Sequence, residues 1–272
     1  MNPTVPLAWE SGFLHRSPLF EPLCPVGGEL SACADWPTLV DLQRAGVANQ
    51  AGKPIRFVPP HDKPQRFEDE YEPRTFLAGE VQTRPENWHD LFNALVWLAF
   101  PKSKAEINAR HYAEILRERE SAAGKSRGKL RDRLTQFDES GMVILCADAQ
   151  LSQLLADHQW QRLFWHERER VAHAMRFLVF GHSLYEKALQ PYPGITGKAL
   201  VLPVAAQALD RPVDEVVALA DDLLAEVLAD SELFGADAKL QTLPLMGIPG
   251  WTPENEDAAY YEDARYFRPR RC

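Results

Sequence analysis

Apolar residues recur at helical spacing through most of this chain and at strand spacing in only a few places. The clearest helix starts with Pro212 at a first-turn position, and its Val213, Val216, Val217, Ala220, Leu223, Leu224 and Val227 share one face. A second helix is predicted from Asn87 to about Phe100, and it is apolar on nearly every side. Asn87 is a good N-cap, Asp90 meets the free N–H groups of the first turn, and Pro101 stops the helix. Ser103 and Glu106 make an S-x-x-E capping box for a third helix, which runs into "EILRERE" and ends before Gly124. Asp148 caps another at "AQLSQLLADH". From Trp160 to about Gln190 the spacing predicts one long helix, breakable at Gly181 and closed by "PYPG". Asp35 and Pro37 open a short helix that Gly46 closes.

Strand signals are fewer. "MVILCA" reads as a buried strand, "KALVLPV" as a second, and "IRFVPPHDKP" as a brief one ended by prolines. "TFLAGEVQT" reads either as a strand or as an irregular lead-in. Residues 1–34 are rich in Pro and Gly without periodicity, and are expected as an extended arm anchored by Trp9, Phe13 and Phe20. The Pro- and aromatic-rich tail is expected to pack back as an ordered strap. The fold class is therefore mainly α: a helical domain over 35–272 with a few short strands, an irregular N-terminal arm and an ordered C-terminal strap.

Composition narrows the function classes. Apolar content of 45% and charged content of 25% are those of ordinary globular proteins, and 272 residues suffice for a sizeable core. A net charge of -9 argues against coating nucleic acid or anionic membrane non-specifically, since both need a positive field. No apolar stretch approaches bilayer-spanning length, and the N-terminus lacks the pattern of a signal peptide. Cys24, Cys33, Cys146 and Cys272 show no C-x-x-C spacing, which fits a reduced, cytoplasmic protein with no membrane partner.

Against this background, the polar residues on the apolar helix need a reason. His89 lies one turn below Asn93 with Asp90 beside both, and the next helix carries Asn108 and His111. A short Pro101-Lys102-Ser103 connection favours antiparallel neighbours, which puts Asn93 level with His111 and His89 level with Glu114. The positive helix end favours neutral imidazole at His89, the form that ligates metal. His182 and Glu186, four apart in "FGHSLYEK", point from one face and suit capture of a metal. Ser183 is no nucleophile elbow, because Tyr185 stands where Gly is needed. "FDESG" places Asp138 and Glu139 at the mouth of a strand. His61-Asp62 is a second His-Asp doublet, but it sits among prolines rather than on a helix. Lys125, Arg127, Lys129, Arg131 and Arg133 form a local basic run, and no Gly-rich phosphate loop is present.

Several of these segments also carry a resemblance. "TRPENWHDLFNALVWLAFPKSKAEINARH", "LRDRLTQFDESG", "FGHSLYEK", "GIPGWTPENE" and "RYFRPRR" occur in order from about Tyr71 to the C-terminus. With them the chain resembles a bacterial family known as domain of unknown function 3025. The resemblance implies a cytoplasmic bacterial protein and carries over no catalytic residue. On chemical grounds the residues suggest a metal-dependent hydrolase for an anionic, phosphate-containing substrate, using one divalent metal ion. His89, Asp90, His182 and Glu186 are the expected ligands, His111 and Asp138 the proton carriers, and Asn93 and Arg133 the substrate holders. The alternative is a non-catalytic binding or scaffold protein in which the same groups form a buried network.

Overall fold

The computed structural model describes residues 7–61, 63–120 and 128–270. Asp62, Lys125, Arg127 and Cys272, each singled out in the sequence, lie outside the described residues. Helix makes up 54% and strand 12%, so the protein is mainly α with a few strands.

The segment expected as an extended arm is irregular, but it is wound rather than extended. Short 3-10 helices at Phe13–His15, Pro18–Leu23 and Gly28–Ala32 flank the one-turn helix α1 (Cys24–Gly27). Phe13, Leu19, Phe20 and Leu23 are buried in the main core. Short turns let successive apolar side chains face the same way, which an extended chain with alternating faces does not. Helix α2 (Leu39–Leu42) is shorter than expected and starts from Thr38, which shares a capping box with Asp41.

Strand β1 (Arg56–Val58) pairs in parallel with β2 (Glu80–Gln82), and helix α3 (Tyr71–Ala78) lies between them in sequence. Helix α4 (Trp88–Ala99) begins where the sequence predicts: the Asn87 side chain accepts from the Asp90 N–H at 3.0 Å. Its first turn rests on an aromatic group from the N-terminal segment, with Trp9 and Trp88 stacked at 5.3 Å and Phe13 edge-on to Trp88. That packing fixes the rotation of the turn that carries His89.

Helix α5 (Pro101–Glu120) does not use the predicted Ser103–Glu106 box. Asp221, buried on α10 (Val213–Ala229) and 118 residues away from Ser103, accepts from the backbone N–H groups of Lys102 and Ser103 at 3.0 and 2.8 Å. A long-range carboxylate thus does the work of a local cap, and it can do so because α10 packs across the start of α5.

The main sheet runs in the order β4-β3-β5-β6, from β3 (Gly141–Cys146), β4 (Met175–Val179), β5 (Thr196–Pro203) and β6 (Gln241–Pro244). β3 is parallel to β5 and antiparallel to β4, with Ile144 opposite Val201 and Phe177. Every residue of β3 is buried, which explains its unbroken apolar run. The predicted long helix over 160–190 is corrected here. It divides into a π-turn at Arg162–His166, α8 (Arg168–Ala174), strand β4 and α9 (His182–Ala188). Helical spacing alone does not see the edge of β3, whose N–H and C=O groups need partners that "MRFLV" supplies.

Helix α6 (Lys129–Ser140) ends directly at β3, and α7 (Ala149–Ala156) follows it with Asp148 as its cap. Gly181 joins β4 to α9 and lies against the α6–β3 corner. A Cβ there would stand 2.4 Å from the Gly141 N and 2.6 Å from the Glu139 carbonyl carbon. The Phe180 and Gly181 N–H groups both donate to Gly141 O, at 3.0 and 2.8 Å. Only a glycine permits this approach, and it brings the start of α9 beside the end of α6.

Candidate metal centre

Three elements converge at that corner: the first turn of α4 with His89, the last turn of α6 with Asp138 and Glu139, and the first turn of α9 with His182 and Ser183. Ligating atoms of His89, Glu139 and His182 all lie within 4.8 Å of one another. The two Nε2 atoms are 3.1 Å apart, and His182 Nε2 is 3.7 Å from Glu139 Oε1. For metal–ligand bonds of about 2.05 Å, tetrahedral ligands stand about 3.3 Å apart, so these spacings bracket the geometry of a metal site.

The outer nitrogens of both imidazoles face carboxylates. His89 Nδ1 is 3.0 Å from Glu186 Oε2, and because a carboxylate only accepts, that nitrogen carries the proton. His182 Nδ1 makes no hydrogen bond among the described residues and lies 3.6 Å from Asp138 Oδ2. A proton there is drawn toward that carboxylate. With both Nδ1 atoms protonated, two Nε2 lone pairs meet at 3.1 Å, an arrangement that repels unless a proton or a metal cation is shared between them. Carboxylates behind metal-bound imidazoles commonly orient the ring in this way.

The charges below the pair are sorted. Lys104, buried on α5, donates to Asp138 and, at 2.9 Å, to Asn93 Oδ1, while Asn93 Nδ2 donates to the Tyr71 hydroxyl at 2.9 Å. Burial alone would raise the Asp138 pKa, but Lys104 and then His182 outweigh it and hold the carboxyl below its ordinary value. Burial pushes the His182 pKa down to about 4, so this imidazole is neutral at neutral pH. His89 departs from the sequence expectation. Its hydrogen bond to Glu186 raises its pKa against the effect of burial, and the same bond lowers that of Glu186. The Ser183 hydroxyl donates to Glu139 and lies 3.4 Å from His89 Nδ1.

Of the expected site residues, His89, His182, Glu186 and Asp138 come together. Asp90 does not join them: both its oxygens accept from Arg84, at 2.8 Å each from the guanidinium. Burial raises its pKa, but the Arg84 bonds prevail and leave it lowered. His111 lies buried with its Nε2 4.0 Å from Glu72 Oε1. Asn108 donates to Glu72 Oε2 at 2.7 Å, and burial raises the Glu72 pKa to about 7. Arg133 lines a separate cavity. His61 pairs with Arg74. Lys104 and Glu139 are the residues that sequence reasoning left out. Glu139 shared the strand-mouth signal with Asp138, whereas Lys104 reads as an ordinary polar helix position.

A family model described as "Protein of unknown function (DUF3025)" matches residues 55–271. The chain belongs to that family. No curated protein and no solved structure matches it. Every residue of the His89–His182 cluster falls within the span shared with the family. Among the described residues no helix is long and apolar enough to cross a membrane.

Proposed function

We propose that this protein is a metal-dependent hydrolase with one divalent cation held by His89 Nε2, His182 Nε2 and the Glu139 carboxylate. The observation that carries the reading is the 3.1 Å approach of two imidazole nitrogens whose far sides both face carboxylates. Three protein ligands leave a position for water, and a cation there acts as a Lewis acid and lowers the pKa of that water. Asp138, fixed by Lys104, orients His182. Glu186, fixed against His89 and half-exposed, stays charged at neutral pH and stands at the lip of the cluster as the proton acceptor.

Charge narrows the substrate. Arg84 answers Asp90 and Lys104 answers Asp138, so Glu139 and Glu186 together balance a divalent cation. Among the described residues, the cluster itself leaves no cation for a phosphate: Lys187, whose charge reaches Glu186, is exposed to solvent, and Arg133, read from the sequence as the phosphate holder, lies on another cavity. The reading is therefore hydrolysis of an uncharged ester or amide. The test is turnover of an ester, amide and phosphoester panel by Zn2+-loaded protein, by chelator-stripped protein and by Glu139→Gln. Metal-restored ester or amide hydrolysis that Glu139→Gln loses is expected. Turnover indifferent to chelator, or none across the panel, contradicts the proposal.

A further inference from the structure

A cavity of about 790 Å3 opens between α6, the β5–β6 edge and the C-terminal segment. None of the residues of the His89–His182 cluster lines it. Its size is that of a pocket for a small organic ligand. Among the described residues five cations line it, against the single carboxylate of Asp237. Two of the five are answered from outside the cavity, Arg265 by Asp263 and Arg270 by Asp157, each at 2.9 Å. Arg133, Lys239 and Arg268 make no ion pair among the described residues.

The wall behind Arg133 holds still more positive charge. Lys198 on β5 is half-buried, with its Nζ 3.2 Å from Thr242 Oγ1, and Thr242 lines the cavity. Burial first and Arg133 second push the Lys198 pKa below the ordinary lysine value. Gathering like charges in this way costs free energy unless an anion arrives to offset it.

A different kind of observation lies across the cavity. His158 has a φ of 56°, at the position after α7 where the Gln159 N–H bonds to Leu154 O and the His158 N–H to Leu155 O. Helix ends of this form favour Gly, because a Cβ is strained there. The chain instead places an imidazole, stacked on Trp160 at 4.8 Å, whose buried Nδ1 has no hydrogen-bond partner among the described residues. Tyr266 adds a half-buried ring to the lining, while Trp160 is itself buried, stacked on both His158 and Phe164.

We infer that this cavity binds a small organic ligand bearing two or more phosphates, a nucleoside di- or triphosphate in chemical class, on Arg133, Lys239 and Arg268. Three unanswered cations with Lys198 behind them, against one aspartate, leave a surplus of three charges that a single phosphate monoester of about −2 does not meet, and the His158 and Tyr266 rings suit a flat base. The inference is independent of the metal centre.

The experiment is calorimetric titration of the full chain with ATP, AMP and adenosine, repeated on Arg133→Gln/Lys239→Gln and on Glu139→Gln. ATP is expected to bind at least about tenfold more tightly than AMP, with adenosine weakest, because each charge-assisted contact is worth about tenfold. The double variant, still folded by circular dichroism, is expected to weaken ATP by about a hundredfold, while Glu139→Gln leaves ATP binding unchanged. Three results overturn the inference: no ATP binding, adenosine binding as tightly as ATP, or ATP affinity that the double variant leaves intact. Loss of ATP binding in Glu139→Gln alone also overturns it, by moving the site to the metal centre.

Discussion

Around His89 and His182 the positive charges each have a carboxylate, with Lys104 on Asp138 and Arg84 on Asp90, while Glu186 holds His89 and Glu139 faces His182. Around Arg133 the arrangement is reversed, with Arg133, Lys239 and Arg268 turned to a common space and Lys198 pressed up behind them. The first region sits at a corner that a glycine closes, and His182 and Lys104 are buried there. The second is open, and its basic side chains other than Arg133 and Lys198 are exposed. The difference separates two ways of preparing for a ligand. A metal centre needs ligands fixed beforehand to within a fraction of an ångström, so its surroundings are rigid and charge-matched. A pocket for a flexible polyanion needs surplus charge on mobile side chains, and it contributes little to the fold.

The comparison predicts a steep gradient of stability effects. Lys104→Met leaves Asp138 without its ammonium and is expected to cost about 3–5 kcal/mol in denaturant unfolding. Lys104→Met/Asp138→Leu should recover part of that loss, and no recovery would mean that the pair is not the cause. Gly181→Ala forces a Cβ onto the Gly141 backbone and is expected to cost about 1–3 kcal/mol and to abolish metal binding.

Acid should act on the same corner. The His182 pKa is depressed to about 4 by burial, against about 6.5 in an unfolded chain. Below pH 6.5 the unfolded state therefore binds a proton that the folded state does not. The metal-free protein is fully favoured by this group above about pH 6.5 and loses up to about 3 kcal/mol as pH falls toward 4. The raised pKa of His89 works the other way and flattens the profile, so the measurement is the unfolding midpoint from pH 7.5 to 4.5 in wild type and His182→Asn. A profile as steep in the variant as in wild type would remove His182 as its source. At the opposite end of the scale, Arg133→Gln/Lys239→Gln should change stability by no more than about 0.5 kcal/mol. A larger loss would make the basic cavity structural and erase the contrast.

The sequence made the local features of both regions readable and hid the long-range ones. Asn87, Asp148 and Pro101 mark helix ends because each acts on backbone within one turn. His182 and Glu186, four apart, both reach His89, but the carboxylate within ligand distance of the two imidazoles is Glu139 rather than Glu186. Asp221 could not be read as the cap of α5, since it comes from another helix. Strand β4 was masked for the same reason: its partner β3 decides it. The expected antiparallel pairing set Asn93 level with His111, whereas Asn93 meets Lys104 and His111 meets Glu72. Nothing in the spacing around Lys104 singles it out, and only the packed chain shows it buried beside Asp138 and Asn93.

Elemental analysis of the purified, tag-free protein tests the central claim most directly, with His182→Ala and Glu139→Gln measured alongside after equilibration with Zn2+. The account predicts about one divalent metal per chain in wild type and a loss from both variants, with circular dichroism showing Glu139→Gln still folded. No metal in wild type would make the His89–His182 corner a packing network and the protein a scaffold or binding module, as would metal retained undiminished in both variants.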